Sequence, residues 1–238
     1  MDRDQIIDDY YKRFFGELCG SGIQGAGSNF FHRIIEKAWA EKSELKILEV
    51  GCGEGEHLTF LSNQTLKNLK SYYMLDIRAT PKALSVRLNG LEKINEFFNP
   101  SLFKYVQGSV ESIPFPDNYF DRIISTCLFH HLSNPLDGFK EIERVTKPGG
   151  EISIGMPCDP GILNRFIKFL ITFPKARRIG LQNPELVYAL EHPNHIHGLM
   201  SIAKFVFSNH QLKFTFHPFK IRSWNANLAI VIRVKIND

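Results

Sequence analysis

The sequence predicts an α/β fold: a mostly parallel sheet with helices on both faces. Three observations predict it. Short apolar runs of strand type recur between residues 45 and 156, helical patterns separate them, and a glycine turn, Gly51, Gly53 and Gly55, follows the first run. Strands that alternate with helices make βαβ units and a parallel sheet. Such crossovers are right-handed, and ligands gather at the carboxyl ends of the strands.

In chain order, Ile6, Ile7, Tyr10, Tyr11, Phe14, Phe15 and Leu18 recur at helical spacing, so residues 4–18 read as an amphipathic helix. GSGIQGAGS follows, with Gly20, Gly22, Gly25 and Gly27, and reads as a flexible loop poised as a lid. Ser28 or Asn29 can cap a second helix that runs to about Lys42. LKILEV (45–50) is a strand, and 55–67 a helix after the glycine turn. YYML (72–75) is a strand that closes on Asp76, and 81–98 is helical. FKYVQ (103–107) and FDRIIST (120–126) are strands. Residues 135–146 form a helix ended by KPGG, and EISIGM (151–156) is a fifth strand. Residues 157–200 carry scattered prolines and histidines and read as an insertion covering a substrate. A helix over 201–209 precedes two closing strands, LKFTFH and NLAIVIRVKI. The chain thus divides into an N-terminal helical extension, 1–44, and one sheet domain, 45–238.

Bulk composition narrows the function. The chain of 238 residues is 43% hydrophobic and 23% charged, enough apolar material for a proper core. A formal charge of +4 does not suit nucleic acid held by electrostatics, so no nucleic-acid partner is expected. Cys19, Cys52, Cys127 and Cys158 lie far apart and form no CxxC pair; free thiols in a reducing cytoplasm are expected. MDRDQIIDDYYKRFF has no long apolar stretch and is not a signal peptide, and no run is long enough for a membrane span. A monomer or homodimer is expected.

The glycine turn narrows the ligand. A dinucleotide turn needs G-x-G-x-x-G, and the third glycine would fall on Glu56. A carboxylate there would repel a pyrophosphate. Glu49, Glu54 and Glu56 instead suit a ligand that carries positive charge. A nicotinamide-dependent (NAD(P)) oxidoreductase and a non-catalytic binding scaffold are the alternatives to the reading that follows.

ILEVGCGEG (47–55), Asp76, GSVESIPFPDNYFDRIIS (108–125) and the FHHL…FKEIERVTKPGG run (129–150) stand in one order at characteristic intervals. Together they resemble the class I S-adenosylmethionine-dependent methyltransferases, type 11, small-molecule branch. The resemblance spans roughly residues 45–156 and implies a Rossmann-like sheet of seven strands with the last one antiparallel. It implies S-adenosyl-L-methionine as cofactor and direct methyl displacement onto a small acceptor, lipid-like or sugar-like. By the resemblance, Glu49 lies near the methionine ammonium, and Gly51, Cys52, Gly53 and Gly55 pass under the methionine and ribose. Asp76 takes both ribose hydroxyls, since a carboxylate accepts two hydrogen bonds from a diol, and Ile77 packs on the adenine. Gly108, Ser109 and Val110 border the adenine, with Ser109 or Glu111 in place of the family's usual Asp. The stretch from Cys127 to His130 borders the reacting methyl.

His130 and His131 follow the fourth strand, and His192, His195 and His197 crowd the run HPNHIHG. A ring that titrates near neutrality is a candidate base, and His130, His192 and His195 are put in that role, with His197 beside them. No helical i, i+4 spacing and no matching cysteine accompany them, so no metal is expected. Thr126-Cys127 and Pro157-Cys158 stand in the reverse of the order that cytosine-C5 methylation uses, so no cysteine nucleophile is expected. GILNRFIKFLITFPKARRIG (161–180) joins an apolar face to Lys175, Arg177 and Arg178. It reads as a lid, and its composition also suits peripheral contact with lipid.

Overall fold

Seven apolar runs become strands: β1 (Leu45–Val50), β2 (Leu69–Asp76), β3 (Phe103–Gln107), β4 (Phe120–Thr126), β5 (Thr146–Pro157), β6 (Gln211–His217) and β7 (Ala229–Lys235). The computed structural model describes residues 2–19, 22–36, 43–78 and 81–238. The strands form one sheet in the order β3-β2-β1-β4-β5-β7-β6. β1 to β5 pair in parallel, and β7 runs antiparallel between β5 and β6. The sheet is therefore mostly parallel with an antiparallel last strand, as expected. The strand order reverses between β1 and β4, and a crevice opens at such a point beyond the carboxyl ends.

Successive residues of a strand face opposite sides, and the two apolar layers sort accordingly. Leu48, Val50, Leu75 and Ile123 join Phe129, Phe139 and Phe207 on one face. Leu45, Ile47, Tyr72, Met74 and Ile124 join Ile35 and Leu84 on the other. The helix Pro135–Val145 begins with Asn134 accepting from the Asp137 backbone and Pro135 in the first turn, both good starting signals.

The structure corrects several expectations. The glycine segment is not a loop, since a helix runs Gly22–Glu36 straight through it, and Ser28 and Asn29 lie inside that helix rather than capping it. Packing outweighs the weak helix preference of glycine: Ile35 is fully buried, and a Cβ on Gly155 of β5 would stand 2.6 Å from Ile35 Cδ1. Gly20 and residues 37–42 lie outside the described residues. The helix expected over 55–67 is two pieces, Glu56–Phe60 and Asn63–Lys67, because Ser62 starts the second by accepting from the Thr65 backbone. The helix expected over 81–98 stops at Glu92. KPGG does not end a helix in a loop but joins β5. The helix expected at 201–209 runs Ile196–Val206.

Two layers cover the carboxyl-terminal side. The first helix runs Arg3–Tyr10, continues with π-type hydrogen bonding over Tyr11–Phe15, and ends at Gly16–Cys19. Its Tyr10, Phe14 and Leu18 pack on Ala176, Leu181 and Val187. The insertion thus carries helices at Ile162–Ile167, Phe173–Arg178 and Pro184–Glu191 and shares an apolar cluster with the chain's first helix. The second helix, Gly22–Glu36, is instead a layer of the sheet domain. Its Glu36 carboxylate lies 2.8 Å from Arg122 Nη1 of β4, with Arg122 fully buried. The Glu36 carboxylate also accepts from the Thr65 hydroxyl at 2.6 Å and the Ser62 backbone at 3.1 Å. His57, just past the glycine turn, brings Nε2 to 3.5 Å of the same carboxylate.

Candidate active site

The glycine turn leaves β1 at the crevice. Gly51, Gly53 and Gly55 all hold left-handed backbone, with φ of 70°, 53° and 77°, a conformation that side chains disfavour. At Gly51 there is a second reason: a Cβ would stand 2.9 Å from Leu128 Cδ1, in the segment that follows β4. The turn and the β4 exit are therefore in contact. Asp76 closes β2 and accepts from the Gly53 backbone at 3.0 Å and the Arg78 backbone at 2.7 Å. Ile77 beside it is 60% exposed, a bare apolar side chain at a strand end.

Glu49 is 2% exposed and accepts from the Tyr72 hydroxyl at 2.9 Å. It forms no ion pair among the described residues. Burial, opposed by the Tyr72 bond and reinforced by Glu56 and Asp76, raises its carboxyl to about 8. A buried acid without a cation is costly to ionise. A bound ammonium would supply the missing charge. Glu56 leans to Arg87 at 3.7 Å, and the Glu54 carbonyl accepts from Arg87 at 2.7 Å. The Glu56 carboxylate is thus partly answered within the chain, and Glu49 is not.

The remaining residues expected at the cofactor are spread less evenly. Cys52 is buried, and burial, with Glu49, Asp76 and Glu56, pushes its thiol far up, so it is no nucleophile. Gly108 donates to the Asp76 carbonyl at 3.2 Å, which puts it at the crevice. The Ser109 hydroxyl accepts from the Glu111 backbone, and the Glu111 carboxylate accepts from the Asn134 backbone. Both therefore have partners within the chain. Val110 is 4% exposed and belongs to the core, which leaves only its backbone to meet a ligand. Cys127 holds left-handed backbone, φ 53°, and donates its N–H to Gly155, a bend that turns the chain at the tip of β4.

Beyond that bend the structure gathers a buried polar cluster. The His130 ring lies 4.0 Å from that of His131 and 4.4 Å from that of His192. Burial, with the other rings and Lys168 adding to it, holds His130 well below the ordinary imidazole range. Burial and His192 likewise lower His131 to about 3. Burial thus favours the neutral form of both rings. Among the described residues His130 Nδ1 is buried without a hydrogen-bond partner, and a buried polar atom left unmatched is costly unless a ligand answers it. The three rings bring nitrogens within 4.8 Å of one another, a grouping that sequence spacing did not suggest. His195 does not join them. It and His197 are exposed at the start of the helix Ile196–Val206, because the buried Ile196 between them takes the inward position and donates to the Asp159 carbonyl.

Three further residues, unsuspected from the sequence, complete the cluster. Asp159 follows β5 and contacts both the Lys168 ammonium and the Tyr188 hydroxyl, which also touch each other. His192 Nδ1 lies 3.7 Å from the same carboxylate. Cys158 beside it is buried, with its thiol pushed up to about 12 by burial and Asp159, which leaves it inert. The first helix reaches this region too: Arg78, two residues past Asp76, sits over the Tyr11 ring at 4.5 Å and lies 3.8 Å from Asp8.

Residues 48–154 match the family described as a methyltransferase domain. That segment is similar to a methyltransferase domain, and the sheet around it has the fold of S-adenosylmethionine-dependent methyltransferases. The methyltransferase domain is similar to 2-methyl-6-phytyl-1,4-hydroquinone methyltransferase of Arabidopsis thaliana, 28% identical over 143 residues, or 59% of this chain and 39% of that one. It is also similar to a fatty-acid O-methyltransferase of Mycolicibacterium smegmatis, 31% identical over 114 residues, 48% of this chain and 37% of that one. Across the curated relatives it matches, the chain spans about half of their length or less. Among solved structures, phosphoethanolamine N-methyltransferase 2 of Haemonchus contortus, in complex with S-adenosyl-L-methionine, superposes with a TM-score of 0.63. That match is 14% identical and covers 98% of this chain and 60% of that one; it shows a shared fold.

The crevice residues fit the cofactor that this family uses. The buried, unpaired Glu49 suits an ammonium, the turn offers backbone without side chains, and Asp76 with the exposed Ile77 suits a ribose and an adenine. A pH dependence follows. A cation binds the ionised Glu49, so binding expels its proton. Affinity for S-adenosylhomocysteine is expected to rise roughly tenfold per unit as pH climbs toward about 8 and to level above it. Calorimetric titration across that range checks this, and Glu49→Gln should flatten the profile. A wild-type profile that is already flat would remove the role given to Glu49.

Proposed function

We propose that the methyltransferase passes the methyl of S-adenosylmethionine to a lipid-like small molecule, at a hydroxyl or carboxyl group. The carrying observation is the position of the polar cluster. His130, His192, Asp159, Lys168 and Tyr188 collect just past β4 and β5, beside the segment that touches Gly51, and under an apolar cover. The names of the relatives, one acting on a hydroquinone with a phytyl tail and one on fatty acids, support an acceptor with a long apolar part.

When bound, the cofactor supplies an electrophilic methyl on a sulfonium. Glu49, Asp76 and the backbone of Gly51 to Gly55 hold and orient it. Positioning of this kind can be worth ~7–11 kcal/mol of barrier. His130 and His192 receive the acceptor's proton at a ring nitrogen, and the Asp159 carboxylate, 3.7 Å from His192 Nδ1, stabilises the charge that His192 then carries. Lys168, held by Asp159, stands where it can pair with an acceptor anion. The lid expected over 161–180 and the catalytic pair His130 and His192 belong to this reading, whereas His195, exposed, has no part in it.

The test is transfer of label from methyl-labelled S-adenosylmethionine to a panel of long-chain hydroquinones, phenols and fatty acids, with sugars as a contrast set. Label on an apolar acceptor is expected. For that acceptor His130→Ala and His192→Ala should each lower turnover ~10²–10⁴-fold while cofactor affinity stays as it was. Label found only on sugars, or turnover indifferent to both rings, would defeat the proposal.

A further inference from the structure

Among the described residues no helix is long and apolar enough to cross a membrane. The insertion nevertheless bares an unusual face. Ile162, Phe166, Phe169 and Leu170 are 66%, 64%, 71% and 55% exposed. Their spacing, i, i+4, i+7 and i+8, places them on one side of the helical run that begins at Ile162. The opposite side of that run faces the protein: Lys168 meets Asp159 and Tyr188, Asn164 donates to the Leu228 carbonyl, and Ala176 is buried. The run therefore is not a helix whose packing partner has been left out. It is docked on one side and bare on the other.

The loop joining β6 and β7 extends this face. Asn225 accepts from the backbone of both Ile162 and Leu163, which fixes the loop beside the start of the run. The same loop carries Phe219 and Ile221, 60% and 56% exposed. Lys220 and Arg222 alternate with them and are exposed as well. Residues 161–182 and 218–228 contain no Asp or Glu at all, against seven Lys and Arg. Arg165, Arg178, Lys220 and Arg222 are exposed and form no ion pair among the described residues.

Large apolar side chains rimmed by unanswered cations fit one surface best. We infer that this face seats the protein on an anionic lipid bilayer, the phenylalanine, leucine and isoleucine side chains entering the headgroup boundary and the cations meeting lipid phosphates. A second copy of the chain is a poor occupant: a two-fold contact would set the same acid-free, cationic patch against itself. The inference stands on exposure and charge alone and is independent of the acceptor proposed above.

Vesicle flotation of the full chain tests it, with phosphatidylcholine vesicles compared to vesicles that also contain phosphatidylglycerol. Binding is expected on the anionic vesicles only, weakening as salt is raised. The paired change Phe166→Ser with Phe169→Ser, and separately Lys220→Glu with Arg222→Glu, should each weaken it roughly tenfold or more. Phe205→Ser is the control, since Phe205 is 70% exposed but lies on the helix Ile196–Val206; it should leave vesicle binding unchanged. Unaltered affinity for S-adenosylhomocysteine in every variant would show that the fold survived. No binding to anionic vesicles, binding that ignores both paired changes, or a concentration-dependent dimer abolished by the Phe166 and Phe169 change would each overturn the inference, the last by assigning the face to a second copy.

Discussion

Glu36→Ala should lower the free energy of unfolding by about 3–5 kcal/mol, because it removes the carboxylate that balances a buried guanidinium. Arg122 is fully buried, and the Glu36 carboxylate lies 2.8 Å from it. Removing one partner of a buried pair costs more than the pair is worth, since the remaining charge stays desolvated. For a chain of this length that corresponds to a fall in midpoint temperature of roughly 10 °C. Burial alone would raise the Glu36 carboxyl, but the nearby His57 ring, the Arg122 charge and the Thr65 hydroxyl together lower it to about 2. Its folded value therefore lies below its ordinary 4.5. The stabilisation is complete above that ordinary value and is lost as pH falls toward about 2. Urea unfolding of the variant beside Glu36→Leu with Arg122→Met checks the argument, because the apolar double change should recover most of the loss. A Glu36→Ala protein within ~1 kcal/mol of the parent would show the pair to be dispensable.

Asp76→Ala should weaken cofactor binding by about a hundredfold. A hydrogen bond to a charged group contributes ~1.5–3 kcal/mol, and the carboxylate offers two acceptors to a ribose. The side chain also holds the turn together through the backbone of Gly53 and Arg78. Asp76→Asn separates the two effects: it keeps an oxygen for one backbone partner but loses the charge and one acceptor. Calorimetry with S-adenosylhomocysteine measures the binding, and thermal unfolding without ligand measures the turn. An alanine variant that binds within about threefold of the parent would place the ribose elsewhere.

The sheet was legible in the sequence because each strand's signal is local. FKYVQ and FDRIIST carry their own apolar pattern and fold at the bounds that pattern gives, Phe103–Gln107 and Phe120–Thr126. The glycine turn was legible for the same reason, since its three left-handed positions lie within five residues, although the contact of Gly51 with Leu128 was not. The second helix was not. Local preference argues for a loop through Gly22, Gly25 and Gly27, and the opposing term is the contact of Ile35 with Gly155, more than a hundred residues away in the chain. Asp159, Lys168 and Tyr188 were invisible likewise: each belongs to a different element, and no period links them. Among the histidines, spacing treated His192, His195 and His197 alike, and only the inward turn of Ile196 distinguishes them.

The placement of β7 has a kinetic consequence. It pairs with β5 on the side away from β4, and that pairing joins residues as far apart as Glu151 and Lys235, 84 positions along the chain. Contacts of such separation form late, after the entropy of a long closure has been spent. Until the β6–β7 hairpin docks, the nascent sheet presents an open, apolar β5 edge. Aggregation during refolding should therefore start at Ile152, Ile154 and Met156, and a chaperone that shields that edge would raise the yield more than one acting anywhere else.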